Sequence, residues 1–186
     1  MNDQTDSFNQ KLLEVMPRLK RYAIVLAVTP ESSDDLLQAT LERALQKQQQ
    51  WKIDTHLDRW LFTIMSSIWK NEIRSRVVRQ GNGLSEDVDL LFDKSNEDKV
   101  NRTFLYEQVF KEVMVLPENQ REPIILIYVE GIKYQEAADI LEIPLGTLMS
   151  RLARARIALA NRFDESKNNS KSSVVQFNEK GVSSNR

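Results

Sequence analysis

Three apolar stripes at helical spacing crowd into the last third of the sequence, parted by one glycine and one proline. No other feature limits the fold so tightly. Leu116-Pro117-Glu118 opens the first stretch, with proline near the first turn and an acid beside the positive end of the helix dipole. Ile124, Ile125, Ile127, Tyr128 and Val129 form its apolar body, and Gly131 ends it. A short second helix is expected from about Tyr134 to Leu141, with Ala137, Ala138 and Leu141 inward. Glu142-Ile143-Pro144-Leu145 makes the turn, and a third helix starts near Gly146-Thr147. At about 100° per residue, Leu148, Leu152, Ala155 and Leu159 share an arc of about 60°. Thr147, Ser150, Arg151 and Arg154 share a neighbouring arc of about 100°.

One stripe is core and the other carries hydroxyls and arginines. A short helix, a tight turn and a second helix with such a face is the helix-turn-helix arrangement, whose second helix enters the major groove of DNA. Arginine's fork can hold guanine through two bonds, hydroxyls reach bases or phosphate, and the helix N-terminus favours phosphate. The plainer reading is a solvated basic face on an ordinary bundle helix. Residues 143–163 hold Arg151, Arg154, Arg156 and Arg162 with no acid among them. A merely solvated helix usually mixes signs to gain pairs one turn apart, so DNA binding is favoured.

Charge is segregated along the whole chain, although the formal net is only −1. Residues 116–142 set Glu118, Glu122, Glu130, Glu136, Asp139 and Glu142 against only Arg121 and Lys133. The basic stretch just described follows directly. Gln80-Gly81-Asn82-Gly83 breaks the helical pattern, and the acidic, aperiodic stretch after it contains Glu86, Asp87, Asp89, Asp93, Glu97 and Asp98. The expected organisation is all-α: two small helical domains, 8–79 and 102–163, joined by an acidic linker over 80–101 that keeps them apart. A polar tail, 164–186, is expected to be disordered.

In the first domain, Ser32-Ser33-Asp34-Asp35 reads as a helix start, followed by a stripe of Leu37, Leu41, Ala44 and Leu45. Asp35, Gln38, Glu42 and Gln46 mark the opposite face. The next helix, from about Thr55 to Arg79, has its core stripe at Leu57, Trp60, Leu61, Ile64 and Ile68 and a basic end at Lys70, Arg74, Arg76 and Arg79. Trp51, Trp60, Phe62 and Trp69 gather in and just before it. Rings beside cations suit a single-strand binder, in which bases stack while arginines follow phosphates. Core packing is the competing role: Trp60 is read as core, and Trp69 fits either.

The absence of cysteine excludes thiol chemistry, Cys-based zinc sites and disulfides, and the one histidine, His56, has no partner for a metal site. No phosphate loop or nucleophile triad occurs, so no enzyme, cofactor or metal is expected. The polar N-terminus and short apolar runs point to a cytoplasmic chain without membrane insertion.

The segments Leu116–Glu122, Glu130–Ala138 and Ile143–Arg156, with the run Gly146-Thr147-Leu148-Met149-Ser150-Arg151-Leu152-Ala153-Arg154-Ala155-Arg156, resemble region 4 of bacterial sigma factors, most closely the compact extracytoplasmic-function (ECF) class. Asp34-Asp35-Leu36-Leu37-Gln38 is similar to that family's region 2 helix for docking on core RNA polymerase. Trp60-Leu61-Phe62-Thr63-Ile64 with Asn71-Glu72-Ile73-Arg74-Ser75-Arg76 is similar to its promoter-melting region. The resemblance implies a sigma factor that directs core polymerase to promoter DNA and is held by an anti-sigma factor. It puts Thr147, Ser150, Arg151 and Arg154 on the upstream element, conventionally −35, with Arg156 on phosphate. It puts Ser67, Lys70, Arg74 and Arg76 on the downstream element, conventionally −10, and Asp34, Asp35 and Gln38 on polymerase. Ala39, Ser67 and Met149 depart from the family pattern. The rival readings are a helix-turn-helix regulator that never joins polymerase and a sigma-like decoy for an anti-sigma protein.

Overall fold

A computed structural model describes residues 2–52, 55–80 and 109–178, all of them helix or connecting turn. Helix α1 spans Asn2–Ala27, α2 Pro30–Gln46 and α3 Leu57–Gln80, with a short 3₁₀ turn at Gln48–Gln50. Helical residues 109–114, labelled α4, lead into α5 (Glu118–Ile124), α6 (Tyr134–Ile140) and α7 (Leu145–Asn178). Apart from Gln80, the expected linker over 80–101 lies outside the described residues.

In α1, Phe8, Leu12, Leu19, Tyr22 and Leu26 are spaced by three, four or seven residues along one face, and all are buried, as is Ala23. They meet α3 through Tyr22 and Phe62, whose rings stand edge to face at 5.2 Å, and Phe8 packs against Trp51 at 5.6 Å. The turn into α2 is tight: Val28 takes φ 66, a region that strains a β-branched residue. The cap of α2 is Thr29, whose Oγ1 accepts the Ser32 amide, and Pro30 occupies the first turn. The helix therefore starts before the serines that the sequence reading chose. Its core line is also rotated from the expected one, through Ser33, Leu36, Thr40 and Ala44, while Leu45 is exposed.

In the C-terminal half, Pro123 sits near the end of α5, which widens into a π-type turn over Ile125–Val129. There the Glu130 amide donates to Ile125 O (2.9 Å) and the Ile132 amide to Leu126 O (2.9 Å), with Gly131 at φ +69. That left-handed conformation costs glycine little. Leu148, Leu152 and Ala155 of α7 are fully buried against Ala137, Ala138 and Leu141, which are buried with them in one core. Helix α7 runs on to Asn178, into the tail expected to be disordered from 164. No proline or glycine interrupts Thr147–Asn178, so nothing in the backbone chemistry stops it. Residues 179–186 lie outside the description. The sequence reading also had the linker hold the two halves apart. The described halves instead pack together, and buried side chains from both form one continuous core.

Candidate nucleic-acid interface

Helix α7 begins from Pro144, whose carbonyl accepts the amides of Thr147 (2.9 Å) and Leu148 (3.1 Å). Its first turns expose Ser150, Arg154 and Arg156, leave Thr147 and Arg151 half-buried, and turn Leu148 and Leu152 inward. The Ser150 hydroxyl donates to Thr147 O at 2.9 Å, which leaves its oxygen free to accept. None of Arg151, Arg154 and Arg156 belongs to an ion pair among the described residues. The turn before α7 puts Glu142 at φ 51, and α6 packs behind it. Met149 is exposed as well, but at about 100° per residue it points well away from the arc of Thr147, Ser150, Arg151 and Arg154.

The basic end of α3 is arranged differently. Arg74 is exposed and Ser67 half-buried. Arg76 pairs with Glu72 one turn back and lies over the Trp69 ring, 5.5 Å from its centre. Trp69 itself is buried, and its Nε1 donates to Glu118 at 2.9 Å. Its indole is a packing element and not an open stacking platform. Lys70 reaches across to the C-terminal half, donating to Leu141 O at 2.7 Å and to Glu142 at 3.3 Å. On α2, Asp34, Asp35 and Gln38 are all exposed, and Gln38 Nε2 donates to Glu42 at 2.9 Å. The sequence-derived residues thus fall into three surface groups on three helices.

Sequence reasoning missed the residues that join the halves. Arg18 Nε donates to Glu130 Oε2 at 2.7 Å and its Nη2 to the Glu130 carbonyl at 3.0 Å, while its Nη1 holds Asp58 at 2.8 Å. Arg21 Nε takes the other Glu130 oxygen at 2.8 Å. Burial pulls the Arg18 guanidinium down, but its bonds to Glu130 and Asp58 more than offset this and raise it. Arg59 pairs with Glu136, and the second Glu136 oxygen accepts the Lys133 amide at the start of α6. The only sequence signal was the excess of acid over 116–142; partners 77 to 112 residues away gave none.

Beneath these pairs lies Glu122, which is almost wholly buried, with Oε1 lacking a hydrogen-bond partner among the described residues. Burial, with the nearby Glu118 charge, pushes its carboxyl up to about 7, against the pull of Lys70, Arg151 and Arg121. The Tyr22 hydroxyl is raised well above its ordinary value, first by burial and then by the Glu122 charge.

Residues 107–159 match the family model for sigma-70 region 4, and residues 12–66 match that for the sigma2 domain of PhyR. The ECF RNA polymerase sigma factor EcfG of Rhodopseudomonas palustris is 33% identical over 158 residues, 84% of each chain. The ECF RNA polymerase sigma-E factor of Escherichia coli is 30% identical over 164 residues, 81% of this chain and 84% of its own. Among solved structures, the sigma factor RpoE of Bartonella quintana, in complex with the anti-sigma factor NepR, superposes with a TM-score of 0.68 at 31% identity. The match covers 84% of this chain and 96% of that one. No helix among the described residues is long and apolar enough to cross a membrane.

Proposed function

The chain belongs to the ECF sigma factors of bacterial RNA polymerase, and from that membership we propose which of its surfaces meet which partner. It is a sigma factor: it binds core polymerase and directs transcription initiation to particular promoters. Thr147, Ser150, Arg151 and Arg154 of α7 read the upstream element in the major groove, with Arg156 on the backbone. Ser67, Lys70, Arg74 and Arg76 of α3 engage the downstream element as it opens. The exposed Asp34, Asp35 and Gln38 of α2 dock on polymerase. Chemistry belongs to the polymerase, so the chain acts as an adaptor in the cytoplasm. An anti-sigma factor is proposed as a further partner, by likeness to the RpoE–NepR complex.

The observation that carries this reading is the row of arginines on α7, without ion pairs among the described residues, on a helix whose other face is locked into the core. A pool of genomic fragments transcribed by core polymerase with and without the chain tests it. Start sites that depend on the chain and share one upstream element are expected, and Arg154→Ala should lose them. No chain-dependent start sites would contradict the reading.

A further inference from the structure

Four hydroxyls on the helices follow one habit. Ser33, Thr40, Thr63 and Ser150 each donate to a carbonyl three or four residues back, at 2.7–2.9 Å. Ser66 of α3 departs from it: the side chain is fully buried, and its Oγ has no hydrogen-bond partner among the described residues. Two more oxygens are stranded in the same way, Tyr22 Oη of α1, also fully buried, and Glu122 Oε1 of α5. The three are neighbours. Tyr22 packs edge to face on Phe62, one turn before Ser66 on α3. Its hydroxyl, raised first by burial and then by the Glu122 charge, is pulled down by Ser66.

A helical serine can always turn back to the carbonyl of its own helix. One that gives up that partner points toward another. Buried hydroxyls and carboxyls are almost always hydrogen-bonded, because an unpaired one carries the full loss of its hydration. Three stranded together would cancel a large share of a small domain's stability. The cations that act on Glu122 do not fill the gap. Lys70 bonds to Leu141 O and Glu142, and Arg121 Nη1 donates to Met114 O at 2.9 Å. Arg151 is in no ion pair among the described residues. Water meets the need of all three oxygens at once. It donates and accepts, and buried waters occupy places where about two to four polar groups converge.

We propose that Tyr22, Ser66 and Glu122 hold one bound water between α1, α3 and α5, and that this water bridges the two halves inside their shared core. Tyr22 and Ser66 meet it with hydroxyls from the N-terminal half, and Glu122 with a carboxyl oxygen from the C-terminal half. The ion pairs of Arg18, Arg21 and Arg59 join the halves where those side chains still reach solvent. The water joins them out of its reach. Hydrogen bonds are directional, so a three-point bridge fixes where α5 sits on α1 and α3. The inference goes beyond the sigma-factor reading and does not depend on it.

The test is NMR on the full chain with isotope-labelled tyrosine. A cross-relaxation peak between water and the Tyr22 ring, with the sign of a long-lived bound water, is expected, and its absence would overturn the proposal. The peak should vanish in Ser66→Ala and in Glu122→Leu. Survival in either variant would take that residue out of the bridge and overturn it. Urea unfolding supplies a second readout. With the water in place, Tyr22→Phe and Ser66→Ala each remove a bond that is made, and each should lower the folding equilibrium constant roughly tenfold. The double variant should fall well short of a loss of roughly a hundredfold, because the first change already releases the water. A full product of the two losses would mean that the hydroxyls act separately, against the proposal. Hydroxyls left without water reverse the sign: removing an unpaired group is neutral or stabilising, and that result would also overturn it. Should Glu122→Leu fail to fold by circular dichroism, the wild-type peak and the two hydroxyl variants still decide.

Discussion

The basic face of α7 and the basic end of α3 have similar composition, yet they stand in opposite states. On α7, Arg151, Arg154 and Arg156 are free of ion pairs among the described residues. On α3, Lys70 is held by Leu141 O and Glu142, Trp69 is buried against Glu118, and Arg76 is paired to Glu72. A basic residue counts toward DNA binding only when its counter-charge is the DNA. On the proposed assignment, α7 can present itself to DNA as the chain stands, whereas the α3 surface would first have to lose contacts to the C-terminal half.

The sharpest way to break this comparison is Arg151→Ala with Arg154→Ala. Each replacement should cost about 1–3 kcal/mol of upstream-duplex binding and relax base preference there. Single-strand binding and thermal stability should hardly change, because neither side chain is in an ion pair among the described residues. Titration of labelled duplexes with single base changes measures both effects. Equal losses on duplex and single strand would erase the distinction between the faces.

Glu122 probes the covered side. After burial it is influenced by Glu118, by Lys70 on α3, by Arg151 on α7 and by Arg121. Its carboxyl is raised from 4.5 to about 7 in the packed chain. The stabilisation this gives is complete below 4.5, falls as the separated or unfolded chain ionises between 4.5 and about 7, and is gone above that. Glu122→Gln, which stays neutral, should therefore be more stable than wild type at pH 8 by up to about 3 kcal/mol. The advantage should shrink toward pH 5, as urea unfolding at the two pH values would show. An advantage independent of pH would mean that Glu122 is charged even when packed.

The smallest effect is expected at Arg76. Its pair with Glu72 is exposed and lies one turn apart on a single helix, so Arg76→Ala should cost no more than about 0.5 kcal/mol. Loss of its contact with the Trp69 ring is included in that figure. A larger loss in thermal unfolding would show that the α3 end is held by its own charges rather than by the C-terminal half.

Much of the free face was readable from spacing alone. Leu148, Leu152 and Ala155 repeat at helical period and are buried, so Arg154 had to face outward and Arg151 to lie at the edge of the core stripe. The covered face was not readable. Its pairs, such as Arg18 with Glu130, are separated by 112 residues, and charge segregation signals that acids need partners without naming them. Trp69 was ambiguous because an indole beside cations fits either a stacking site or a core, and only the position of Glu118 decides. At α2, Thr29 with Pro30 outcompeted the serines as the start, since a hydroxyl cap followed by proline satisfies the first turn sooner. The π-type turn after Pro123 left no periodic trace, because it displaces the helical register over only a few residues.

The contrast between a free and a covered face is tested most directly by the separation of labels at Lys47→Cys and Ala160→Cys, measured in the free chain and again after core polymerase is added. A single short distance in the free chain that gives way to a longer one on polymerase is the expected result. The same distance in both states would contradict the account.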